Sequence, residues 1–265
     1  MAMSRYYQEI AYRPRSRYAR LSWWLARFAV LVSLIAIILI RFNLVDTGGA
    51  LVALFAGFAI AALAFVLSIV AFVRIWREDH RGFGKAVAGC LVSLLALSVP
   101  VSLQAFAILR PGINAISSDT VDIPPFSRTR QAFEARDGTL PVMPQQAEQV
   151  RMRLAYPDIV TLVLNVEPKS ALGMIRETAR SQGWTEIASL SPGGRFGDGH
   201  FDAIARTTLL QLPIDITLRI RPVAGGTRID IRCVSRYGNY DFFDNASLVR
   251  NFMSELSDTA SGEEP

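Results

Sequence analysis

RIRPVAGGTRIDIRCVSRYGNYDFFDNASLVRNFMSEL, Arg219–Leu256, is the stretch whose reading decides the fold. With the residues just before it, it alternates apolar and polar side chains at the period of two that a half-buried strand requires. Ile216, Leu218 and Ile220 fall on one face, and Asp215, Thr217, Arg219 and Arg221 on the other. Ala224-Gly225-Gly226 predicts a hairpin turn. After it, Ile229, Ile231 and Cys233 return to the apolar face while Arg228, Asp230 and Arg232 face out. A polar loop, Ser235 to Asn245, leaves the second strand. Asp244 or Asn245 then suits the N-cap of a helix, whose Leu248, Val249, Phe252 and Leu256 would dock on the sheet.

Towards the amino terminus, His200–Leu210 and Trp184–Leu190 predict two more strands, separated by the glycine-rich turn SPGGRFGDG. That turn lacks the Gly-Lys-Ser/Thr of a phosphate-binding loop. Pro168 suits the first turn of a helix, with Leu172, Ile175 and Ala179 as its apolar stripe and Gly183 as its stop. Ile159–Val166 predicts a strand with Val160, Leu162, Leu164 and Val166 on one face. The order strand, helix, strands, helix lacks βαβ alternation. Residues 156–257 therefore predict an α+β domain, a mainly antiparallel sheet with two helices, compatible with a helix-grip arrangement. Residues 258–265 read as a disordered tail. Residues 111–155, with Pro111, Pro124, Pro125, Pro141 and Pro144, read as a proline-rich connector, which Phe126, Phe133 and Met143 could pin in part onto the domain.

The remaining residues, 1–110, predict an all-α region of three transmembrane helices, about 22–42, 50–73 and 86–109. A spanning helix needs ~20 apolar residues; the first run meets this only if Arg27 and Arg41 snorkel to the interfaces. Charge divides at the same place, with 12 Lys+Arg against 4 Asp+Glu in residues 1–110 and 16 against 19 in residues 111–265. Positive charge kept off the folded domain argues against nucleic acid as a partner and for the lipid bilayer. Arg5, Arg13, Arg15, Arg17 and Arg20 precede the first run, and Arg74, Arg77, Arg81 and Lys85 lie between the second and third. The loop between the first two runs has only Arg41 against Asp46. Positive residues favour the cytoplasmic side, so a bacterial inner-membrane protein with a cytoplasmic amino terminus and a periplasmic carboxy-terminal domain is expected. Gly49, Ala53, Gly57 and Ala61 recur every four residues. Such a ladder permits close helix packing, within the bundle or between copies in a homo-oligomer.

From about Ile113 to Leu256 the chain resembles domain-of-unknown-function family 1499, in its membrane-anchored proteobacterial form. The marks are INAISSDTVDIPPF at Ile113–Phe126, YPDI at Tyr156–Ile159 and RIRP at Arg219–Pro222. The strongest is S-R-x-G-x-x-D…N at Ser235, Arg236, Gly238, Asp241 and Asn245. The chain departs from the family pattern at Cys233, Ile214, Phe243 and Leu248, where a serine, an acidic residue, a glycine and an arginine are usual. The family has no established activity, so the resemblance implies a domain and a membrane setting but no reaction.

The two cysteines, Cys90 and Cys233, belong to no metal-binding spacing, so neither a disulfide framework, a metal nor a cofactor is expected. His200, the single histidine outside the membrane region, reads as an ordinary polar residue rather than a triad member. Asp215, Asp230 and Asp241 could pair for acid–base work, but pairing with nearby arginines is the commoner outcome. Arg219, Arg221, Arg228 and Arg232 could bind an anion, and a solvated sheet face with cross-strand charge pairs explains them equally well. The candidate polar cluster is Asp215, Arg221, Ser235, Arg236, Gly238, Asp241 and Asn245, in which Arg236 and Asp241 are expected to close the loop as an ion pair. The function expected is a non-catalytic envelope module that binds a lipid-like or other apolar small ligand, or a partner. The alternative is an envelope enzyme with Arg236 and Asp241 in its site.

Overall fold

The computed structural model describes residues 14–109, 112–193, 197–238 and 245–262. Arg5, Arg13, part of the SPGGRFGDG turn, Asp241, Phe243 and Asp244 lie outside them. The chain divides into two units, Met1–Gln104 and Ala105–Pro265.

The first unit is built on α1 (Arg17–Arg41), α2 (Thr47–Glu78) and α3 (Phe83–Leu109), all long and apolar enough to cross a membrane. Ser16 Oγ accepts the Ala19 N–H at 3.3 Å and Asp46 accepts the Gly49 N–H at 2.9 Å, so side chains satisfy donors that the first turns leave orphaned. The helices approach closely through small residues. Ala26, Ala29 and Ser33 are buried on α1, and Gly57, Ala61 and Ala64 on α2. A Cβ added at Gly57 would collide with Ser33, and one at Gly89 of α3 would lie 2.7 Å from Ser22 Oγ. Gly57 and Ala61 of the small-residue ladder are therefore covered within the chain, while Gly49 is exposed. The Ser16 N–H donates to the Arg81 carbonyl at 2.9 Å and the Arg81 N–H to the Pro14 carbonyl at 3.0 Å. These bonds bring the two arginine-rich segments to one end of the bundle.

The second unit runs β1 (Ala115–Ser117), α4 (Arg130–Ala135), α5 (Gln146–Ala155), β2 (Leu162–Leu164), α6 (Pro168–Ser181), β3 (Thr185–Leu190), β4 (Gly199–Arg206), β5 (Pro213–Val223), β6 (Gly226–Ser235) and α7 (Asn245–Ser261). Its sheet is antiparallel throughout, in the order β1-β6-β5-β4-β3, with β2 also paired to β6. This is the α+β layout that the alternation implied. The β5–β6 hairpin turns through Ala224-Gly225, with Val223 opposite Gly226. Gly225 takes a φ of +83°, which glycine adopts without a steric penalty. Ile216, Leu218, Ile220, Ile229, Ile231 and Cys233 are fully buried under α6 and α7. Leu172, Ile175 and Ala179 of α6 and Val249, Phe252 and Leu256 of α7 meet them, and the Trp184 ring stacks on Phe252 at 4.4 Å. Each large apolar side chain so buried contributes ~1.5–3 kcal/mol.

Four boundaries differ from the sequence reading. Only Leu162–Leu164 of Ile159–Val166 is strand: a turn in which the Ile159 N–H donates to the Tyr156 carbonyl buries Ile159 and leaves Val160 exposed. The strand from His200 ends at Arg206, because Thr207 Oγ1 accepts the Leu212 N–H at 2.9 Å and turns the chain. Helix α7 runs to Ser261, so the first residues assigned to the tail are helical. The largest correction concerns the connector. Residues 115–155 contain β1, α4 and α5, and Phe126 and Met152 are buried. The segment lies as a strap over the sheet face opposite α6 and α7. Its prolines fix an extended path, and the charges of that face supply its partners.

Candidate functional site

Alternation places His200, Asp202, Asp215, Thr217, Arg219, Asp230 and Arg232 on the polar face of three neighbouring strands. Register sets them in cross-strand rows: His200 opposite Arg219 and Arg219 opposite Asp230, then Asp202 opposite Thr217 and Thr217 opposite Arg232. The face is not solvated as the alternation suggested. Asp202, Thr217 and Asp230 are 0% exposed, Asp215 and Arg232 1%. His200, Arg221 and Arg228 remain partly exposed. The strap covers the rest, so the charges must be neutralised internally.

One network runs across the strap's middle. Arg136, at the C-cap of α4 and wholly buried, donates to Asp202 and lies 3.6 Å from Asp215. Asp202 also accepts the Ser127 N–H at 3.0 Å and lies 2.6 Å from His200 Nε2. Asp215 accepts two bonds from Arg236, at 2.7 and 3.2 Å, and Arg236 donates onward to Asp137 at 2.6 Å. The result is an alternating chain: His200, Asp202, Arg136, Asp215, Arg236, Asp137. Burial by itself would push the Asp202 carboxyl up, but His200 and Arg136 outweigh it and hold Asp202 below the usual carboxylate range. Burial likewise disfavours the Arg236 cation, yet Asp215 and Asp137 raise its pKa above the usual value.

A second network holds the strap's start. Arg219 donates to Asp230 at 2.9 Å and reaches Asp122 at 3.1 Å, while Arg228 bridges Asp119 at 2.6 Å and Asp230 at 3.2 Å. Arg221 binds Asp122 and Asp198; the Arg221 bond is the main cause of a lowered Asp122 pKa. Arg232 differs. Among the described residues no carboxylate pairs with it; its acceptors are the Val142 carbonyl at 2.7 Å, Met143 Sδ at 3.0 Å and the Pro124 carbonyl at 3.5 Å. Burial pushes its guanidinium down to about 10. The Phe126 ring sits between two cations, with the Arg232 and Arg136 guanidinium carbons each 4.9 Å from its centroid.

The structure thus separates the six described residues of the candidate cluster. Asp215 and Arg236 meet. Ser235 and Asn245 meet elsewhere: Asn245 Nδ2 donates to Ser235 Oγ at 2.8 Å and to the Asn114 carbonyl at 3.1 Å, while Asn114 Nδ2 reaches the Gly238 carbonyl. That clasp joins the start of α7 to the last strand, and Gly238 takes a φ of +92° within it. Arg221 lies towards the opposite end of β5 from Asp215. Asp241 is outside the described residues, and Arg236 is held by Asp215 and Asp137. Arg136, Asp202, Asp119, Asp122 and Asp137 carry much of the network and were not singled out by sequence, whereas Phe126 was, as an anchor for the connector. One signal was available: both signs of charge at alternate positions of adjacent strands, and a preceding segment carrying acids and arginines of its own.

Among the described residues no group of His, Cys, Asp and Glu is arranged to hold a metal ion. A groove of about 730 Å³ opens where α6 ends beside the β4–β5 turn and α7, lined by Gln182, Trp184, Arg206, Thr207, Gln211, Ser247, Asn251 and Glu255. Hydrogen bonds from Gln182 and Ser181 hold the Glu255 carboxyl below its usual range.

Residues 117–256 match the model of a family described as protein of unknown function, DUF1499. No curated protein matches the chain.

Proposed function

Because the chain belongs to the DUF1499 family of proteins of unknown function, its role has to come from its own architecture, and we propose a membrane-anchored, non-catalytic binding module on the outer face of a bacterial inner membrane. One observation carries the reading: the acids of the sheet's polar face are buried and bound to arginines of the sheet and the strap, so they hold the strap rather than face a substrate. The apolar face is covered by α6 and α7. A concave polar surface open to an envelope ligand is the groove beside Trp184 and Asn251.

The location rests on charge. Arg15, Arg17, Arg20, Arg74, Arg77, Arg81 and Lys85 gather near one end of the helices, against Arg41 and Asp46 at the other. Positive flanks favour the cytoplasm, and three spans then carry the second unit outside.

A phosphatase that works only in the periplasm, fused after Pro265, should be active; a silent fusion beside an active cytoplasmic reporter would remove the orientation. Native mass spectrometry of the full chain extracted from membranes should show an added small-molecule mass that Ser247→Trp, which fills the groove, reduces. A parent with no added mass would remove the ligand.

The catalytic alternative has one observation in its favour, the contact of a one-fifth-exposed His200 with Asp202. It requires His200→Asn to abolish function in the cell without loss of stability, whereas the binding reading requires function to survive.

A further inference from the structure

Arg27 is a cation inside an apolar helix. From Arg27 to Arg41 is ~21 Å of α1 at 1.5 Å per residue, against a hydrocarbon thickness of ~30 Å. With Arg41 at one interface, Arg27 lies about 9 Å short of the other, within snorkelling reach of the headgroups. Among the described residues no carboxylate pairs with it. Its guanidinium carbon instead lies 5.5 Å from the Trp23 ring centroid and 5.9 Å from that of Trp24, two side chains suited to the membrane interface.

Beside it runs a groove of about 440 Å³, lined by Trp24, Arg27, Phe28, Leu31 and Leu34 of α1 and Val92 of α3. Below the one charge its named lining is hydrocarbon. The groove therefore offers a planar cation with several donors at its mouth and an apolar channel beneath. We propose that it binds one anionic glycerophospholipid, the phosphate on Arg27 and an acyl chain along Phe28, Leu31, Leu34 and Val92. Charge complementarity selects this occupant: a guanidinium matches phosphate through paired hydrogen bonds, and a basic pocket between spanning helices suits an acidic headgroup. A zwitterionic lipid fills the channel equally well but brings its own cation to Arg27. The proposal rests on the reading of the three helices as membrane spans and is independent of their orientation.

The test uses the full chain in nanodiscs of mixed phosphatidylglycerol and phosphatidylethanolamine, released into native mass spectrometry. The parent should retain one phosphatidylglycerol in preference. Arg27→Gln should reduce that preference about tenfold, the scale of one lost charge-assisted hydrogen bond. Arg27→Lys, which keeps the charge without the planar fork, should fall between. Arg77→Gln, a basic residue outside the groove, should change little. If Arg27→Gln loses no more than Arg77→Gln, or the parent shows no preference, the site does not exist. Carbonate extraction separates the premise: a chain released to the soluble fraction removes the membrane reading, whereas a retained chain without lipid preference removes the site alone.

Discussion

Arg136 donates to Asp202 across 66 residues of sequence, with both side chains wholly buried. The strap supplies the cation and the sheet the anion, so the pair exists only when the two are docked. Its energetics follow from burial rather than attraction. A buried ion pair contributes little net over an apolar pair, but removing one partner strands the other in a low-dielectric interior.

Arg136→Met should therefore cost ~3–5 kcal/mol in denaturant unfolding of the full second unit, because Asp202 and Asp215 both lose a buried cation. Asp202→Leu should cost a similar amount, and the double mutant should cost well below the sum of the two. Additive losses would show that the residues act independently.

Arg232→Met should behave in the opposite way. Arg232 is buried without a carboxylate, so removing it strands no anion. A thioether of similar length keeps contact with Phe126 and should leave stability within ~1 kcal/mol of the parent, or raise it. A loss near that of Arg136→Met would assign Arg232 a partner that its geometry does not have.

Stability should fall on acidification in a window set by Asp202. Its folded pKa lies below the usual 3.8, so the unfolded chain binds its proton first. The contribution is complete above the unfolded value and is lost as pH falls through the lower folded value. Asp202→Asn should flatten the slope of stability against pH below about 4. An unchanged acid slope would show that Asp202 is not held ionised by the fold.

Truncation tests the strap as a whole. A chain beginning at Gly112 should unfold cooperatively with intact near-ultraviolet dichroism. One beginning at Tyr156 removes β1, α4 and α5 and uncovers the Asp202, Asp215 and Asp230 layer. It should be aggregated or lack fixed tertiary packing, and a cooperative transition there would demote the strap to an accessory.

Phe252→Ala should cost ~3–5 kcal/mol, as for other buried aromatics, and should shift the fluorescence of Trp184, its stacking partner at 4.4 Å. An unchanged emission spectrum would mean that the stack does not persist in solution.

The strap shows where sequence reading stopped. Its prolines and polar residues carry no long period, so Phe126, Phe133 and Met143 alone hinted at docking, and of these Phe133 is exposed, while Arg136 and Asp137 looked like charges on a loop. Ser235, Arg236, Gly238 and Asn245 stood out through the resemblance to the family. Position then sorted them: Arg236 crosses to Asp215 and Asp137, while Ser235 and Asn245 clasp Asn114.

Local chemistry alone determined the three apolar runs, the alternation of β5 and β6, the stripes of α6 and α7 and the Ala224-Gly225 turn. Each depends on periodicity, capping or backbone freedom within a few residues, which any window of the chain displays. The tertiary structure alone decided that the polar face is an interior. Whether Asp215 and Asp230 meet water or arginine depends on what lies above them, and that is set by a segment about a hundred residues earlier whose path has no local signature. Burial is a property of the whole packing, and it turns the same alternating charges from a solvated surface into a buried ionic layer.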